Sequence, residues 1–409
     1  MITHRIIPYL VLFIFWHTGR GQGFLKAEGQ SIVNEKGEKV ILRGMGLGGW
    51  MLQEPYMLKL PGTGPQYSIR RRISELIDPE RTAAFYDAWL ANQTRKIDID
   101  SMAAWGFNSV RLPMHYHLYT LAVDEEPVPG RNTWLEKGFA LTDSLLGWCK
   151  ANHLYLILDM HAAPGGQGND LNISDRDSTQ PSLWQSAANR EKMIALWRKL
   201  AERYANESWI GGYDIINEPN WGFEDPADKH GQRETKNAPL RQLMMDITAA
   251  IRSVDKRHMI IIEGNGWGNN YRGVLPPWDD NMVLSFHKYW NPNTLAAIQP
   301  FLDLRAKYNI PLWLGESGEN NNTWYRECVK LVEGQGIGWS WWPLKKIGTN
   351  NPLEVPLTPE WERIVNYFSG KGPRPSAAET EAGLSSLVNS VRLENDTYNK
   401  AVIDALFQR

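Results

Sequence analysis

Short apolar runs alternate with amphipathic runs along most of this chain, and that alternation most limits what it can fold into. The apolar runs are "KVILRGM" (39–45), "FNSVRLP" (107–113), "LYLILDMH" (154–161), "GYDIINEP" (212–219), "HMIIIEG" (258–264), "MVLSFHKY" (282–289), "IPLWLGE" (310–316) and "IGWSWWP" (337–343). Continuous apolar runs of this length are the signature of strands covered on both faces. Between them lie stretches with helical spacing of apolar residues, among them 97–106, 191–205 and 238–255. Strand–helix alternation predicts a parallel sheet. Eight such units fit an α/β chain folded as a (β/α)8 TIM barrel with loop insertions at its C-terminal face. A doubly wound open sheet is the alternative, but no G-x-G-x-x-G follows the first run to support a dinucleotide fold.

Two gaps between runs are long. The stretch 46–106, with "PGTGPQYS", predicts in part a loop over the barrel mouth, and "DLNISDRDSTQPS" (170–182) predicts a second long loop. The latter has no Gly at its sixth position and no Glu at its twelfth, which excludes an EF-hand calcium loop. The barrel domain is expected over 24–370. A Gly/Pro linker, "FSGKGPRPS" (368–376), leads into a helical tail within 371–409, where Leu384, Leu387, Val388 and Val391 recur at helical spacing. At the other end, Arg5 precedes an apolar stretch, Ile6 to Trp16, and small residues follow at Gly21 and Gly23. This reads as a signal peptide, 1–23, cut near Gly23 to give a secreted or periplasmic protein. The stretch is short for a membrane span, and no later segment predicts one.

Composition narrows the partners. Of 409 residues, 42% are hydrophobic and 22% charged, enough for a large core, and the formal net charge is −2. No basic run exceeds "IRRR" (69–72), so nucleic acid is excluded as a partner, because phosphate binding needs a basic stripe. The 19 Trp and 15 Tyr suit either a Trp-rich core or a cleft that stacks flat, weakly charged ligands such as sugars. The two cysteines, Cys149 and Cys328, lie in helix-like stretches. A secreted protein could pair them, but buried free thiols are the expectation, and two so far apart make no zinc pattern.

In a TIM barrel the active site lies at the C-terminal strand ends. There the second run offers Arg111, the third His161 and the fourth Asn217 with Glu218. The sixth offers His287 and Tyr289, the seventh Glu316, and the eighth Trp341 and Trp342. Polar groups at so many buried tips need a joint explanation, because unpaired buried charge is costly. Two carboxyls facing across a pocket are the equipment for glycoside hydrolysis: one protonated, one ionised. Arg111 near Glu316 would hold it ionised. Glu218, close to that anion, would keep its proton longer. Asn217 is placed to meet a sugar 2-OH, Tyr289 to donate to Glu316, and Trp342 to form the floor of the site. Asp159 reads as an ion-pair member inside its strand, and Glu319 as a loop contact. Trp339 and Trp341 share one strand face, opposite Trp342, and at least one of the two is expected as packing.

"NEP" (217–219) and the glutamate of "GES" (315–317) resemble the glycoside hydrolase clan with its acid/base on strand four and nucleophile on strand seven. Within it, the chain resembles family 5, the cellulase-like family, over about 35–370, and Arg111, His161, Asn217, Glu218, His287, Tyr289, Glu316 and Trp342 all fall on the pattern. The resemblance implies retention of anomeric configuration, no cofactor, no metal, and a β-linked polysaccharide or oligosaccharide as substrate. A monomer is expected. "LRGMGLGGWMLQEPYM" (42–57) and "LDMHAAPGGQ" (158–167) resemble the exo-β-1,3-glucanase branch, in which the glutamate matching Glu54 contacts the terminal sugar. That branch has Gly where this chain has Ala162, and an Asn and an Asp soon after. Here the spacing differs, and Asn169 and Asp170 are the candidates. Linkage (β-1,3 or β-1,4) and exo or endo action therefore stay open. The rivals are a mannanase or other β-1,4-acting member of the family, and a barrel that binds glycan without cleaving it. Retention requires the two carboxyl groups about 5–5.5 Å apart.

Overall fold

The computed structural model describes residues 23–408, so the expected leader, Ile6 to Trp16, lies outside the described residues. Eight parallel strands close into a barrel: β1 (Arg43–Gly46), β2 (Ser109–His115), β3 (Tyr155–Ala162), β4 (Ile210–Asp214), β5 (Met259–Glu263), β6 (Met282–Lys288), β7 (Leu312–Gly318) and β8 (Gly338–Trp342). Every residue of β2 to β8 is buried. Helices cover the outside and side chains fill the inside, which is why these runs are apolar without alternation. The helices carry the complementary stripe. In Ala238–Arg252, Leu240, Leu243, Met244, Ile247 and Ile251 are buried on one face, and Pro239 opens the first turn where its missing N–H costs nothing.

Two strand boundaries differ from the sequence reading. Residues 39–42 do not enter β1. Lys39 and Val40 extend a small N-terminal hairpin (Lys26–Glu28 with Ser31–Val33), with Val40 N–H donating to Ile32 O at 2.9 Å. β4 ends at Asp214, not at 219. Beyond it the chain lifts off the ladder while keeping bonds from Ile215 N–H to Ile261 O (3.1 Å) and Asn217 N–H to Met160 O (3.0 Å). Glu218 then takes a left-handed conformation, φ +43°. A non-glycine residue held there costs energy, and such strain gathers at functional sites. Register shifts at Met114/His115, Phe286/His287 and Trp339/Trp341 fall near the C-terminal ends of β2, β6 and β8, where a bulge re-aims a side chain.

The insertion after β1 is more ordered than a loop. It holds a short turn of helix (Pro55–Leu58) and three helices, 66–77, 79–92 and 96–105. Residues 170–182 run as turns. In "WSWWP", Trp339 and Trp341 point outward. Trp339 Nε1 donates to Glu333 at 2.8 Å, and Trp341 packs edge-on to Tyr325 at 4.9 Å, both on helix Asn322–Gly334. Cys149 and Cys328 are free and buried. Among the described residues no helix is long and apolar enough to cross a membrane.

The tail folds back on the barrel. Helix Ala377–Ser390 starts with a reciprocal cap between Ser376 and Glu379, and it buries Leu384 and Leu387. Thr397–Tyr398 then pairs with Leu353–Val355 beside Lys345–Ile347, in a three-stranded sheet just past β8. A buried ion cluster pins this joint. Lys345 Nζ lies 2.8 Å from Asp98 Oδ1 and 3.5 Å from Asp396 Oδ2, and donates to Val391 O at 2.8 Å. Lys345→Met keeps the stem and removes the charge, leaving two buried carboxylates without a cation. It should lower unfolding stability by about 3–5 kcal/mol, measured by urea titration. A loss under about 1 kcal/mol would mean the cluster does not hold the tail.

Candidate active site

The site is built on one guanidinium. Arg111, in the middle of β2, points into the barrel and has no exposed surface. A lone charge there would cost several kcal/mol. The inward-facing ends of four other strands supply its partners. Nη1 lies 2.7 Å from Glu316 Oε2 on β7 and 3.3 Å from Asp159 Oδ2 on β3. Nε and Nη2 donate to Asp214 Oδ2 on β4, at 3.0 and 2.9 Å. Nη2 also reaches Asn217 Oδ1 (2.8 Å) and Glu263 Oε1 on β5 (3.2 Å). Burial, then the nearby Glu263, push Asp214 well above the usual carboxylate range against the pull of Arg111, so the cluster is spared a full set of negative charges.

Glu316 is held by donors on both oxygens: Arg111 at Oε2, and the Tyr289 hydroxyl at Oε1, 2.5 Å away. Both oxygens are thus fixed in place as acceptors, one by a cation and one by a hydroxyl. Glu218 has the opposite setting. Burial raises its pKa, while the hydrogen bond from His287 Nδ1 (2.6 Å) and that ring's charge pull it down, leaving it above the ordinary glutamate value. His287 lies between acids: its Nε2 is 3.1 Å from Glu263 Oε1. Although burial alone would lower it, the charges of Glu263 and Glu316 hold it well above the ordinary histidine value. Glu263 Oε2 also accepts the Glu218 backbone N–H at 2.7 Å, fixing the left-handed turn that aims Glu218. An oxygen of Glu218, one of Glu316 and a ring nitrogen of His287 lie within 4.8 Å of one another. Such a triplet has the spacing to hold a cation, but both ring nitrogens of His287 already face carboxylates, so it makes a poor metal ligand.

These groups open on a cavity of about 550 Å³. Glu54, His161, Asp170, Glu218, His287, Tyr289, Glu316 and Trp342 all line it. His161 Nδ1 is bonded to Asp159 Oδ2 (2.7 Å), and its ring stacks on Trp342 with centroids 5.2 Å apart. Trp342 Nε1 donates to Tyr56 OH at 3.0 Å, so the indole is held at its edge with one face toward the cavity. Gly46 and Gly48 make room for it: a Cβ there would stand 2.5 and 2.8 Å from the ring, which accounts for "GMGLGG" before the insertion. Glu54 is buried, 3.9 Å from His161 Nε2, and burial followed by the charge of Glu316 pushes its carboxyl well up. It is therefore a group that can donate to a hydroxyl as well as accept from one.

Some sequence assignments are revised. Asn169 is not on the cavity wall; its amide donates to Lys229 O (2.7 Å) and its oxygen accepts from Arg176 (3.1 Å), a tie across the loop. Only Asp170, next to it, reaches the cavity. Arg111 and Asn217 also lie behind the wall without exposed surface, Asn217 Nδ2 being 3.4 Å from His161 Nε2. In this geometry they position the glutamates and His161. Glu319 lines the cavity while paired to Lys346 at 2.6 Å. Sequence reasoning missed Asp214, Glu263, Tyr56 and Trp267. For the first two a signal was present: a carboxylate inside an apolar strand run demands a buried cation. The two insertions are clipped together, Tyr67 N–H donating to Asp175 Oδ1 (2.7 Å) while Asp175 Oδ2 meets His115 Nε2 (2.9 Å).

Residues 75–348 match the family described as Cellulase (glycosyl hydrolase family 5). A β-xylosidase of Phanerodontia chrysosporium is 26% identical over 387 residues, covering 86% of this chain and 77% of that protein. A probable glucan 1,3-beta-glucosidase A of Emericella nidulans is 28% identical over 325 residues, 74% of this chain and 71% of that one. Endoglucanase C of Acetivibrio thermocellus is 24% identical over 312 residues, 61% of this chain and 83% of its own.

The His287 contact gives a pH test. It lowers the Glu218 pKa, so His287→Gln should let Glu218 hold its proton to higher pH. The alkaline limb of kcat/KM for glycoside turnover should move to higher pH, whatever happens to the rate itself. A limb that stays in place or moves down would detach that limb from Glu218.

Proposed function

The chain belongs to glycosyl hydrolase family 5, the cellulase family, and from that premise we propose a secreted, retaining β-glucan hydrolase that works from chain ends. The observation that carries the reading is the pair of glutamates with opposite settings, oxygens within 4.8 Å, facing one cavity. That spacing favours direct attack by one carboxylate; inversion needs about 6.5–9.5 Å between carboxyls to seat a water. Glu316, oriented by Arg111 and Tyr289, attacks the anomeric carbon, while protonated Glu218 gives its proton to the departing glycosidic oxygen. The C–O bond breaks and a glycosyl ester forms on Glu316. Glu218, now ionised, takes a proton from water as that water attacks the same carbon. The sugar leaves with its original configuration, and both glutamates return to their starting states. Trp342 offers an apolar face to the sugar ring, and Glu54 and Asp170 offer oxygens to its hydroxyls.

Chain-end action is supported by the Tyr67–Asp175–His115 clip, which joins the insertion after β1 to the 170–182 loop, whose Asp170 and Ile173 line the cavity. The likeness to a glucan 1,3-beta-glucosidase supports a β-1,3 linkage. The likeness to a β-xylosidase supports a second reading, in which the terminal sugar is a pentose. Secretion rests on the leader-like residues 1–23.

The test is product release from laminari-oligosaccharides and cello-oligosaccharides, with aryl β-glucoside and β-xyloside alongside and Glu316→Gln as control. Stepwise glucose from the β-1,3 series is the expected result, with Glu316→Gln slower by about a thousandfold or more. Mixed oligomers from the β-1,4 series would replace this with an open-cleft endo enzyme. Preference for the xyloside would install the second reading.

A further inference from the structure

A second groove, about 590 Å³, lies beside the catalytic cavity, between residues 264–276 and helix Leu295–Tyr308. Asn269 is exposed and lines both, so a chain leaving the catalytic cavity over Asn269 enters this groove directly. The ridge between them is a strained turn. Gly266 and Trp267 are both left-handed, φ +57°, and Trp267 N–H donates to Pro219 O at 3.1 Å beside Glu218. This turn gives Trp267 to the catalytic cavity and Gly266 to the groove.

The two spaces have contrasting charge. The catalytic cavity carries five acids, Glu54, Asp170, Glu218, Glu316 and Glu319, beside His287 and Lys288. The groove is lined by Arg272 and Lys307 and by no carboxylate. Both cations are exposed, and among the described residues neither has an ion-pair partner; Lys307 Nζ sits 5.0 Å over its neighbour Tyr308's ring. Phe301 and Leu304 give the groove an apolar wall, and Asn270 and Gln232 add polar edges.

The geometry points to a subsite for a carboxylate-bearing sugar, such as a uronic acid branch on the leaving-group side of the polysaccharide. Arg272 presents a fork that pairs two oxygens of a carboxylate, Lys307 a point charge, and the apolar wall meets the sugar's C–H face. Among the described residues the groove offers unpaired cations and no carboxylate, so it is the space that takes the acidic branch, while the neutral sugars lie in the catalytic cavity. The inference rests on the reading of the neighbouring site as a glycan hydrolase.

The experiment uses Glu316→Gln protein, whose turnover is slow enough to hold substrate during the measurement. Calorimetry compares a β-linked oligosaccharide bearing one glucuronic acid branch with the same oligosaccharide bearing glucose there. The acidic ligand should bind about fivefold more tightly. Adding R272E and K307E should erase that difference, while the same two changes in the otherwise native enzyme leave turnover of a short aryl glycoside unchanged. Equal affinities, or a preference that survives both changes, would overturn the assignment, as would competition by inorganic phosphate at equal concentration. Failure of the native enzyme on every neutral glycoside would instead strike the hydrolase reading, and the binding difference would still be readable.

Discussion

Everything in the catalytic centre depends on Arg111 being buried with its charge. A guanidinium without exposed surface needs acids, and the barrel supplies them from β3, β4, β5 and β7 in one ring of contacts. The arrangement is costly to assemble, because buried charges must be stripped of water. Its return is precision of placement: Glu316 cannot shift without losing its 2.7 Å contact to Arg111. Glu316 therefore rides on the end of β7, while Glu218 rides on the turn just past β4, fixed there by Glu263.

From that ring the two glutamates acquire different chemistry. Glu316 receives donors on both oxygens, from Arg111 and Tyr289. Glu218 receives its contact from His287, whose other nitrogen faces Glu263, and burial keeps its proton in place. Glu263 connects the two halves, touching Arg111, His287 and the Glu218 backbone. A change at any of these would be felt at both carboxyls, so their effects should not add.

Much of this was legible in the chain itself, for physical reasons. A strand buried on both faces has no cause to carry His161, His287 or Glu316 unless they serve a site, and the barrel rule says which end to look at. What stayed hidden lay where backbone geometry, not pattern, decides. Glu218 belongs to an apolar run, yet the strand stops at Asp214 and a left-handed turn does the aiming. Asn169 and Asp170 are neighbours, and only the fold of their loop sends one to the cavity and the other to Lys229 and Arg176. Asp214 and Glu263 were readable as charges in apolar runs. Reading only the strand tips passed over them, although a buried arginine required such partners.

The central claim is that Glu316 forms the covalent bond to the sugar. A 2-deoxy-2-fluoro glycoside with a good leaving group slows breakdown of that bond, so the adduct accumulates. Peptide mass spectrometry of the inactivated enzyme should place the sugar on Glu316, within "LWLGESG". An adduct on another residue, or steady turnover with inverted product and no adduct, would contradict the account.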